Sequence, residues 1–328
     1  MPSLNISTLS GQKNLLAFSA GIDSSALFFL LIDSGISFDI ALVNYGSRKN
    51  SDKEEQYAQT LAQKYNLICY TAKAPKFEAN FEKNARDFRY RFFEEIIEKS
   101  NYNNLITAHQ LNDQLEWLLM RLTKGAGLSE LLGLEEISQR DNYNLMRPLL
   151  EYSKDELLEY LHTHNHKYFI DKSNIDPKYE RNRFREEFAN TLMQNYPQGI
   201  KRSFDYLRVD KKELENSFET LKKIKQLHII KLHTPTAKTK ATDLTLKKEG
   251  YLLSASQRKE IENNDSIVIG GLWAIEMKED LLYISPYLQT PMPKKFKEQC
   301  RVSKVPQKIR SYCFVEEVSL SLLLEVVG

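Results

Sequence analysis

The first 110 residues alternate between short apolar blocks and longer segments in which apolar residues recur at helical spacing. The apolar blocks predict strands at Leu15–Ser19, Phe38–Val43, Leu67–Thr71 and Asn104–Ala108. The longer segments predict helices at Ser24–Asp33, Asp52–Tyr65, Asn80–Lys99 and approximately Asn112–Leu122. Strands that alternate with helices of this length form βαβ units, in which helices cover both faces of a parallel sheet. The pattern predicts an α/β domain whose ligands bind beyond the carboxyl ends of the strands.

The pattern changes after this region. A predicted helix with a capping box at Ser153 and Glu156 precedes a polar, arginine-rich segment. A lysine-rich stretch of mixed charge over 201–226 then predicts one long helix, and only short apolar runs follow it. We therefore expect a first domain over 1–199, a helical connector over 200–226 and a small mixed C-terminal region over 227–328.

Composition and charge are those of an ordinary globular protein. The chain has 328 residues, of which 41% are hydrophobic and 27% charged, and its net charge is only +2. Basic residues that bind a nucleic acid would therefore have to be concentrated locally. The three cysteines, Cys69, Cys300 and Cys313, lack the spacing of a zinc ribbon or an iron–sulfur site. Because no apolar run reaches the ~20 residues of a membrane span, we expect a soluble cytoplasmic protein.

Small and polar residues interrupt the apolar pattern between the first strand and the first helix. The stretch FSAGIDSSAL places Ser19, Gly21, Asp23 and Ser24 at this junction. Small residues let a phosphate approach backbone N–H groups at a helix start, where the helix dipole favours negative charge. Asp23 would repel a phosphate unless it held a cation, so we expect magnesium beside it. The stretch lacks the Walker pattern, and an ordinary turn with a serine cap is the alternative.

A histidine and two carboxylates form a second candidate site. His109 lies at the tip of the fourth predicted strand, at the sheet edge where the first strand ends. Asp113 and Glu116 are three residues apart and so share one face of the next helix. Such a group can bind a metal or an amino group; the alternative is a capping aspartate and a solvated glutamate.

Together the two clusters resemble a known family. The stretch Ser19–Ser24 is similar to the SGGxDS motif of the PP-loop ATP pyrophosphatases, which split ATP between its α- and β-phosphates and adenylate a substrate. Ala20 replaces the usual first glycine, which requires right-handed or extended backbone there, or tolerated strain. The stretch Leu105–Gly133 resembles the pattern HHxxDQxET…RxxRGxGxxGLxG of the tRNA(Ile)-lysidine synthetases, with Gln110 and Trp117 as departures.

Three further stretches carry the same resemblance. RDFRYRFFEE contains Arg89 and is similar to the family helix ARxxRYxF. Because Arg89 has acidic neighbours, the alternative is that it forms salt bridges on the helix surface. LMRPLLEYSKDELLEYL resembles the segment RPLL…SRxEIxxYL. The most distinctive stretch is DKSNIDPKYERNRFREEF, whose matching residues are Asp171, Ser173, Asn174, Tyr179, Arg181, Asn182, Arg183 and Arg185. The motifs together cover about residues 14–190.

The resemblance implies a PP-loop domain of the adenine nucleotide alpha hydrolase-like fold and a specific reaction. ATP would adenylate the wobble cytidine of a CAU-anticodon tRNA(Ile), and free lysine would displace AMP to give lysidine. ATP and Mg²⁺ are the implied cofactors, and tRNA(Ile) and L-lysine the implied partners. The residues expected to bind the nucleotide are Ser19, Ala20, Gly21, Ile22, Asp23, Ser24 and Ser25, with Asp23 as the magnesium ligand.

The resemblance also implies roles around the reacting atoms. We expect Asp113 and Glu116 to capture the lysine ammonium and one of them to accept its proton. His109 and Arg89 would stabilise charge at the α-phosphate or the activated ring, while Arg181 and Arg183 would reach the phosphate chain or the tRNA. The chemistry requires the Ser19–Ser25 turn and the start of the following acidic helix to lie at one end of the molecule.

The C-terminal region offers a basic segment for tRNA. Residues 293–311 contain seven basic residues against one acid, and KVPQKIRSYCF, with Lys304 and Arg310, resembles a shortened KVPxxxRxxxP element. With Phe296, Tyr312 and Phe314 between the charges, the segment is typical of phosphate contact combined with base stacking; a solvated loop is the alternative.

Two other functions remain open from the sequence. A cytidine or uridine thiolase would need a reactive cysteine near the ATP site, and only Cys69 lies in the N-terminal half, inside a predicted strand. A non-catalytic ATP- or tRNA-binding module would not need Asp23, His109, Asp113 and Glu116 together. The oligomeric state is also open, with a homodimer as one alternative.

Overall fold

The computed structural model describes residues 2, 4, 7–46, 51–77, 79–170 and 180–327. The chain divides into two compact units, Met1–Arg208 and Val209–Gly328. No helix in the described part of the chain is long and apolar enough to cross a membrane.

A six-stranded sheet forms the centre of the first unit. Its strands are β1 (Asn14–Ala17), β2 (Phe38–Asn44), β3 (Cys69–Lys73), β4 (Asn104–Ile106), β5 (Ile137–Gln139) and β6 (Asn144–Met146). The order is β3-β2-β1-β4-β6-β5, and every pairing is parallel except that of β5 with β6. The predicted parallel α/β sheet is confirmed, with a short antiparallel strand added at one edge.

Helices cover both faces of this sheet, as predicted. The helices that begin in the first unit are α1 (Ile22–Asp33), α2 (Ser51–Lys64), α3 (Phe81–Ser100), α4 (Leu111–Leu122), α5 (Leu128–Leu131), α6 (Lys154–Thr163), α7 (Glu180–Phe184), α8 (Asn190–Asn195) and α9 (Pro197–Glu215). A π-helical turn, Arg185–Ala189, joins α7 to α8. Side chains alternate along each strand, so Leu16 packs with Phe28 of α1 on one face and Leu15 with Phe93 of α3 on the other.

Local hydrogen bonds define the starts of two helices that matter for the site. Ser153 caps α6, and Glu156 returns a hydrogen bond to the backbone N–H of Ser153 at 2.7 Å, so the predicted capping box is confirmed. Gln110 caps α4 through its side-chain oxygen, which accepts from the N–H of Asn112 at 2.6 Å. Backbone pairing of Leu111 with Tyr152 at 2.9 Å holds the two helix starts side by side.

The second unit is built on a five-stranded antiparallel sheet. Its strands are β7 (Phe218–Ile224), β8 (Leu227–Leu232), β9 (Ser266–Ile269), β10 (Trp273–Lys278) and β11 (Leu281–Pro286), in the order β7-β8-β11-β10-β9. Its helices are α10 (Ala237–Lys248), α11 (Ala255–Asn263), α12 (Lys294–Val302), α13 (Arg310–Val315) and α14 (Leu320–Val327), with a 3₁₀ turn at Gln307–Ile309. Two apolar clusters form its core, one centred on Ile230 and Leu246 and the other on Tyr283 and Ile309.

The predicted helical connector over 200–226 is wrong in its second half. Helix α9 ends at Glu215, and Phe218–Ile224 forms strand β7, which pairs antiparallel with β8. The lysines of FETLKKI gave the stretch the composition of a solvated helix, but Phe218 and Ile224 each pack against an apolar cluster of this unit. Pairing with β8 therefore outweighs the helical preference that the lysine-rich composition of this segment suggests. The division between the two units falls inside α9, after Arg208.

Candidate active site

A cavity of about 620 Å³ opens at the carboxyl ends of the central parallel strands. Ser19, Gly21, Asp23 and Ser24 line it from the turn after β1, and His109 lines it from the segment after β4. Because β1 and β4 are hydrogen-bonded neighbours, the sheet brings the two predicted clusters to one place. The spatial requirement stated from the sequence is therefore satisfied.

Hydroxyl groups organise the turn after β1. The Oγ atoms of Ser19 and Ser24 lie 2.9 Å apart, and the N–H of Ser19 donates to Ser24 Oγ at 3.2 Å. Gly21 precedes α1 in extended conformation and caps it without a side-chain hydrogen bond. The first turn of a helix leaves backbone N–H groups without intrahelical partners, so this turn can bind an anion. Ser25, in contrast, is fully buried and does not line the cavity.

Ala20 adopts the left-handed conformation, with φ 58°. Of the alternatives stated from the sequence, tolerated strain is the one observed; a non-glycine residue in this region costs about 1–3 kcal/mol. Its side chain is fully buried, and its carbonyl oxygen accepts from the N–H of Phe169 at 2.8 Å. The surrounding structure therefore fixes the turn in a conformation that alanine rarely adopts.

Asp23 carries a buried oxygen that lacks a hydrogen-bond partner in the described part of the chain. Its Oδ1 atom makes no hydrogen bond with any described residue. Burial raises the pKa of Asp23 to about 7, and the negative charge of Asp113 adds to the increase. A carboxylate held in this way fits a cation bridged to phosphate oxygens. No group of three or more His, Cys, Asp or Glu side chains in the described ranges could hold a metal alone, so further ligands would come from a bound nucleotide or water.

The two acidic residues of α4 are bound to arginines. Asp113 accepts from the backbone N–H of Gln110 at 3.0 Å through Oδ2, and its Oδ1 lies 2.5 Å from Arg181 Nη2. Glu116 accepts from Arg181 Nε at 2.8 Å and from Arg185 Nε at 2.6 Å. Asp113 therefore caps the helix, as the alternative interpretation expected, but Glu116 is not solvated: its side chain is only 2% exposed.

Arg185 was recognised from the sequence only as a motif residue, without a role. It lies four residues after Arg181, at the first position of the π-helical turn, and it lines the cavity. Residues four apart share a helix face, and the acidic pair at spacing three on α4 is the matching signal. Burying Glu116 is costly unless charged donors compensate it, and these two guanidinium groups supply them.

His109 is held in its neutral form. Its Nδ1 atom lies 3.0 Å from Thr107 Oγ1. Burial lowers the pKa of His109 to about 3, and the positive charges of Arg147, Arg181, Arg89 and Arg86 lower it further in the same direction. Because the imidazole is neutral near pH 7, His109 can act there as a hydrogen-bonding group but not as a cation.

The other predicted site residues are distributed over the molecule. Arg89 and Ile22 line the cavity, whereas Arg183 is exposed and does not. In the second unit, Lys304 is exposed and half-buried Arg310 donates from Nε to the carbonyl oxygen of Val305 at 3.0 Å. The predicted motif residues Asp171, Ser173, Asn174 and Tyr179 lie outside the described residues.

The stacking role predicted for Tyr312 needs correction. Tyr312 is only 3% exposed, and its hydroxyl accepts from the N–H of Gln226 at 3.0 Å. Its ring therefore stabilises the fold of the second unit. Phe296 and Phe314 are half-buried, with their ring centroids 5.1 Å apart. Their stacking role and the phosphate contacts of the exposed charges stay predictions.

A family model matches most of the first unit, and full-length relatives cover nearly the whole chain. Residues 4–192 match the PP-loop domain family. The chain is 46% identical to a tRNA(Ile)-lysidine synthase of Campylobacter jejuni, over 97% of each chain. It is 42% identical to a protein of the same name from Wolinella succinogenes, over 92% of this chain and 93% of the relative. The U34-tRNA thiolase NcsA from Methanococcus maripaludis, solved with its [4Fe-4S] cluster, aligns over 62% of this chain and 72% of its own at 18% identity, with a TM-score of 0.48.

Proposed function

The chain belongs to the tRNA(Ile)-lysidine synthase family and carries its PP-loop domain, and from this premise we propose that it ligates free lysine to carbon 2 of the wobble cytidine of a CAU-anticodon tRNA(Ile). The observation that supports this proposal best is one cavity lined by the phosphate-binding turn, His109 and Arg185, and Arg185 in turn binds Glu116 of the acidic pair, which itself does not line the cavity. An adenylating ligase needs both groups within reach of one base.

The PP-loop domain implies that the enzyme uses ATP. In our proposal the hydroxyls of Ser19 and Ser24 and the backbone N–H groups of the first turn of α1 bind the phosphates. Asp23, whose Oδ1 lacks a partner, would hold magnesium, which when bound neutralises charge on the phosphates.

The first proposed step forms an adenylate on the base. The carbonyl oxygen on carbon 2 of the cytidine attacks the α-phosphorus of ATP, and the bond from that phosphorus to the bridging oxygen breaks. Pyrophosphate leaves with the electron pair of that bond. Arg89 supplies positive charge to the transition state, and neutral His109 supplies a hydrogen bond, because both line the cavity.

The second proposed step transfers lysine. The ε-ammonium binds the Asp113 carboxylate of the acidic pair and loses one proton to it, and the free amine attacks carbon 2 of the base. The bond from carbon 2 to oxygen then breaks, and AMP leaves with that oxygen. Asp113, whose side chain is 14% exposed, is the more accessible acid, so we propose that lysine displaces Arg181 there while Glu116 keeps its arginines.

The exposed lysines of the second unit are our candidate tRNA contacts. Lys304 is exposed and belongs to the basic segment over 293–311. Such side chains contact phosphates without reading sequence. We propose that this segment contributes to tRNA affinity and takes no part in the chemistry.

One experiment tests the reaction directly. The protein is incubated with ATP, magnesium, labelled lysine and total tRNA, and the tRNA is digested to nucleosides. We expect a labelled lysidine nucleoside. Asp113→Asn should abolish lysine incorporation while tRNA binding persists. Loss of tRNA binding in that variant, or an unlabelled nucleoside pool with the unaltered protein, would contradict the proposal.

The alternative of a thiolase is disfavoured by the cysteines. None of the three lines the cavity. Burial raises the pKa of Cys69 to about 11, so its thiol is not ionised near pH 7.

The second alternative, a non-catalytic module, is tested by tRNA-dependent exchange between ATP and labelled pyrophosphate, which only an adenylating enzyme supports.

A further inference from the structure

Three basic side chains line the cavity: Arg89, Lys154 and Arg185. Arg185 is bound to Glu116. The ammonium group of Lys154 forms no hydrogen bond or ion pair with another residue of the described ranges, and Lys154 carried no role in the sequence analysis. A lysine that faces a cavity without an acidic partner supplies a positive charge to whatever binds there.

The backbone of Lys154 is firmly placed. It is the first residue of α6, next to the Ser153 cap. Its backbone N–H donates to Asn112 Oδ1 at 3.1 Å, which ties it to the start of α4. The exposed side chain of Lys154 therefore projects from a fixed point at the wall of the cavity.

Lys154 and the phosphate-binding turn line the same cavity. The turn contributes Ser19, Gly21, Asp23 and Ser24 to the wall of that cavity. A phosphate group bound at the turn is therefore in the cavity that Lys154 also lines.

We propose that Lys154 binds the β- and γ-phosphates of ATP and the departing pyrophosphate. This assignment rests on the ATP site of the proposed function. A compact ammonium on a flexible stem is suited to phosphate oxygens that change position as a bond breaks. Lys154 supplies a positive charge to the cavity into which the serine turn opens, where the phosphates make the nucleotide most negative.

Binding measurements without tRNA or lysine test this proposal. Mg·ATP, Mg·pyrophosphate and AMP are titrated by calorimetry into the unaltered protein, Lys154→Met and Lys154→Arg. We expect Lys154→Met to weaken Mg·ATP and Mg·pyrophosphate binding by about tenfold or more, which is the usual contribution of a charged hydrogen bond. AMP lacks the β- and γ-phosphates, so its affinity should not change, and Lys154→Arg should restore most of the loss.

Lys201→Met is the matched control, because Lys201 lies over the ring of Tyr152 at 5.4 Å and does not line the cavity. It should bind all three ligands normally. An equal loss of AMP and pyrophosphate affinity in Lys154→Met would indicate a structural role and overturn the assignment, as would unchanged pyrophosphate binding. Should the methionine variant fail to fold, Lys154→Gln replaces it under the same criteria.

The two proposals fail separately. If the unaltered protein binds ATP and pyrophosphate through Lys154 but forms no lysidine, the proposed reaction is wrong and the phosphate assignment stands. If lysidine forms and Lys154→Met binds pyrophosphate normally, the phosphate assignment is wrong and the proposed reaction stands.

Discussion

The two units differ in whether their buried polar side-chain atoms have hydrogen-bond partners. In the described part of the first unit, four buried side-chain atoms have no hydrogen-bond partner: Asp23 Oδ1, Ser25 Oγ, Ser129 Oγ and Arg147 Nε. The described part of the second unit has no such atom. Because buried polar groups in native proteins are nearly always paired, the unpaired Asp23 oxygen beside the cavity indicates where a ligand belongs.

Two buried glutamates show the same difference. Glu116 in the first unit is bound by two guanidinium groups. Glu276 in the second unit is bound by neutral donors, the Ser266 hydroxyl at 2.6 Å and the Lys308 backbone N–H at 2.8 Å. The guanidinium groups belong to the candidate site, where lysine would displace Arg181 from Asp113, whereas the neutral donors only connect β10 to β9 and to the 3₁₀ turn. The comparison predicts that mutations in the first unit act mainly on activity and those in the second mainly on stability.

The largest expected effect is that of Asp23→Asn. The substitution removes the charge that would hold magnesium but keeps the size of the side chain. We expect lysidine formation to fall by about 100-fold or more. The free energy of unfolding should not fall, because Oδ1 has no hydrogen-bond partner to lose among the described residues. Nucleoside analysis measures the first quantity and urea unfolding the second; a destabilised protein with normal turnover would reverse our interpretation of this residue.

Glu276→Ala should lower the free energy of unfolding and leave the ATP site unaffected, which is the opposite of the effect expected for Asp23→Asn. It leaves the hydroxyl of Ser266 and the N–H of Lys308 without a partner, which costs about 1–3 kcal/mol of unfolding free energy for an unsatisfied group. ATP affinity should not change, because the cavity belongs to the first unit. Urea unfolding and calorimetry check the two expectations.

Glu298→Ala provides the comparison within the second unit, since Glu298 forms an exposed ion pair with Arg301 on α12. Such exposed pairs contribute little to stability because solvent screens their charges, so this variant should be much less destabilised than Glu276→Ala. If both variants were equally destabilised, the buried contacts of Glu276 would not be the cause.

The parts of the site that were predictable are local in sequence. The turn at Ser19–Ser25 and the position of His109 follow from where apolar strands end, because the carboxyl ends of parallel strands share one edge of the sheet. The spacing of Asp113 and Glu116 likewise placed both acids on one face of α4. Each of these conclusions needed only a strand, a turn and a helix of ordinary geometry.

The parts that were not predictable depend on distant residues. Arg185 binds Glu116 across a separation of 69 residues, so the pairing depends on how α7 and the π-helical turn pack against α4. Strand β7 required β8 as its partner, and its lysines concealed that pairing. The left-handed Ala20 is held by contact with Phe169, which no local preference of alanine indicates.

A smaller effect is expected from Lys304→Ala. Lys304 is exposed, so its removal should leave the unfolding free energy within about 0.5 kcal/mol. If it contacts a phosphate, tRNA affinity should fall several-fold, and the slope of log affinity against log salt should decrease by about 1. Filter binding at several salt concentrations measures both. An unchanged slope would show that this lysine makes no phosphate contact.

Arg310→Ala is the control for Lys304→Ala. Its guanidinium donates to the carbonyl oxygen of Val305, so its loss should cost about 1 kcal/mol of unfolding free energy. A variant that lost tRNA affinity without losing stability would place Arg310 with Lys304 among the phosphate contacts.

The smallest expected effect is an absence of titration at His109. Burial lowers its pKa to about 3, so the folded imidazole stays neutral between pH 5 and pH 8. The unfolded chain takes up a proton near the ordinary pKa of 6.5. His109 therefore adds nothing to the pH dependence of stability above pH 6.5 and lowers stability progressively as the pH falls below it.

Two measurements check this expectation. In NMR spectra the imidazole Cε1–H signal should show no titration step between pH 5 and pH 8. In His109→Gln the free energy of unfolding should fall less steeply as the pH is lowered below 6.5. A step near pH 6.5 would mean that the folded imidazole is protonated below that pH, and would contradict a His109 that is neutral between pH 5 and pH 8.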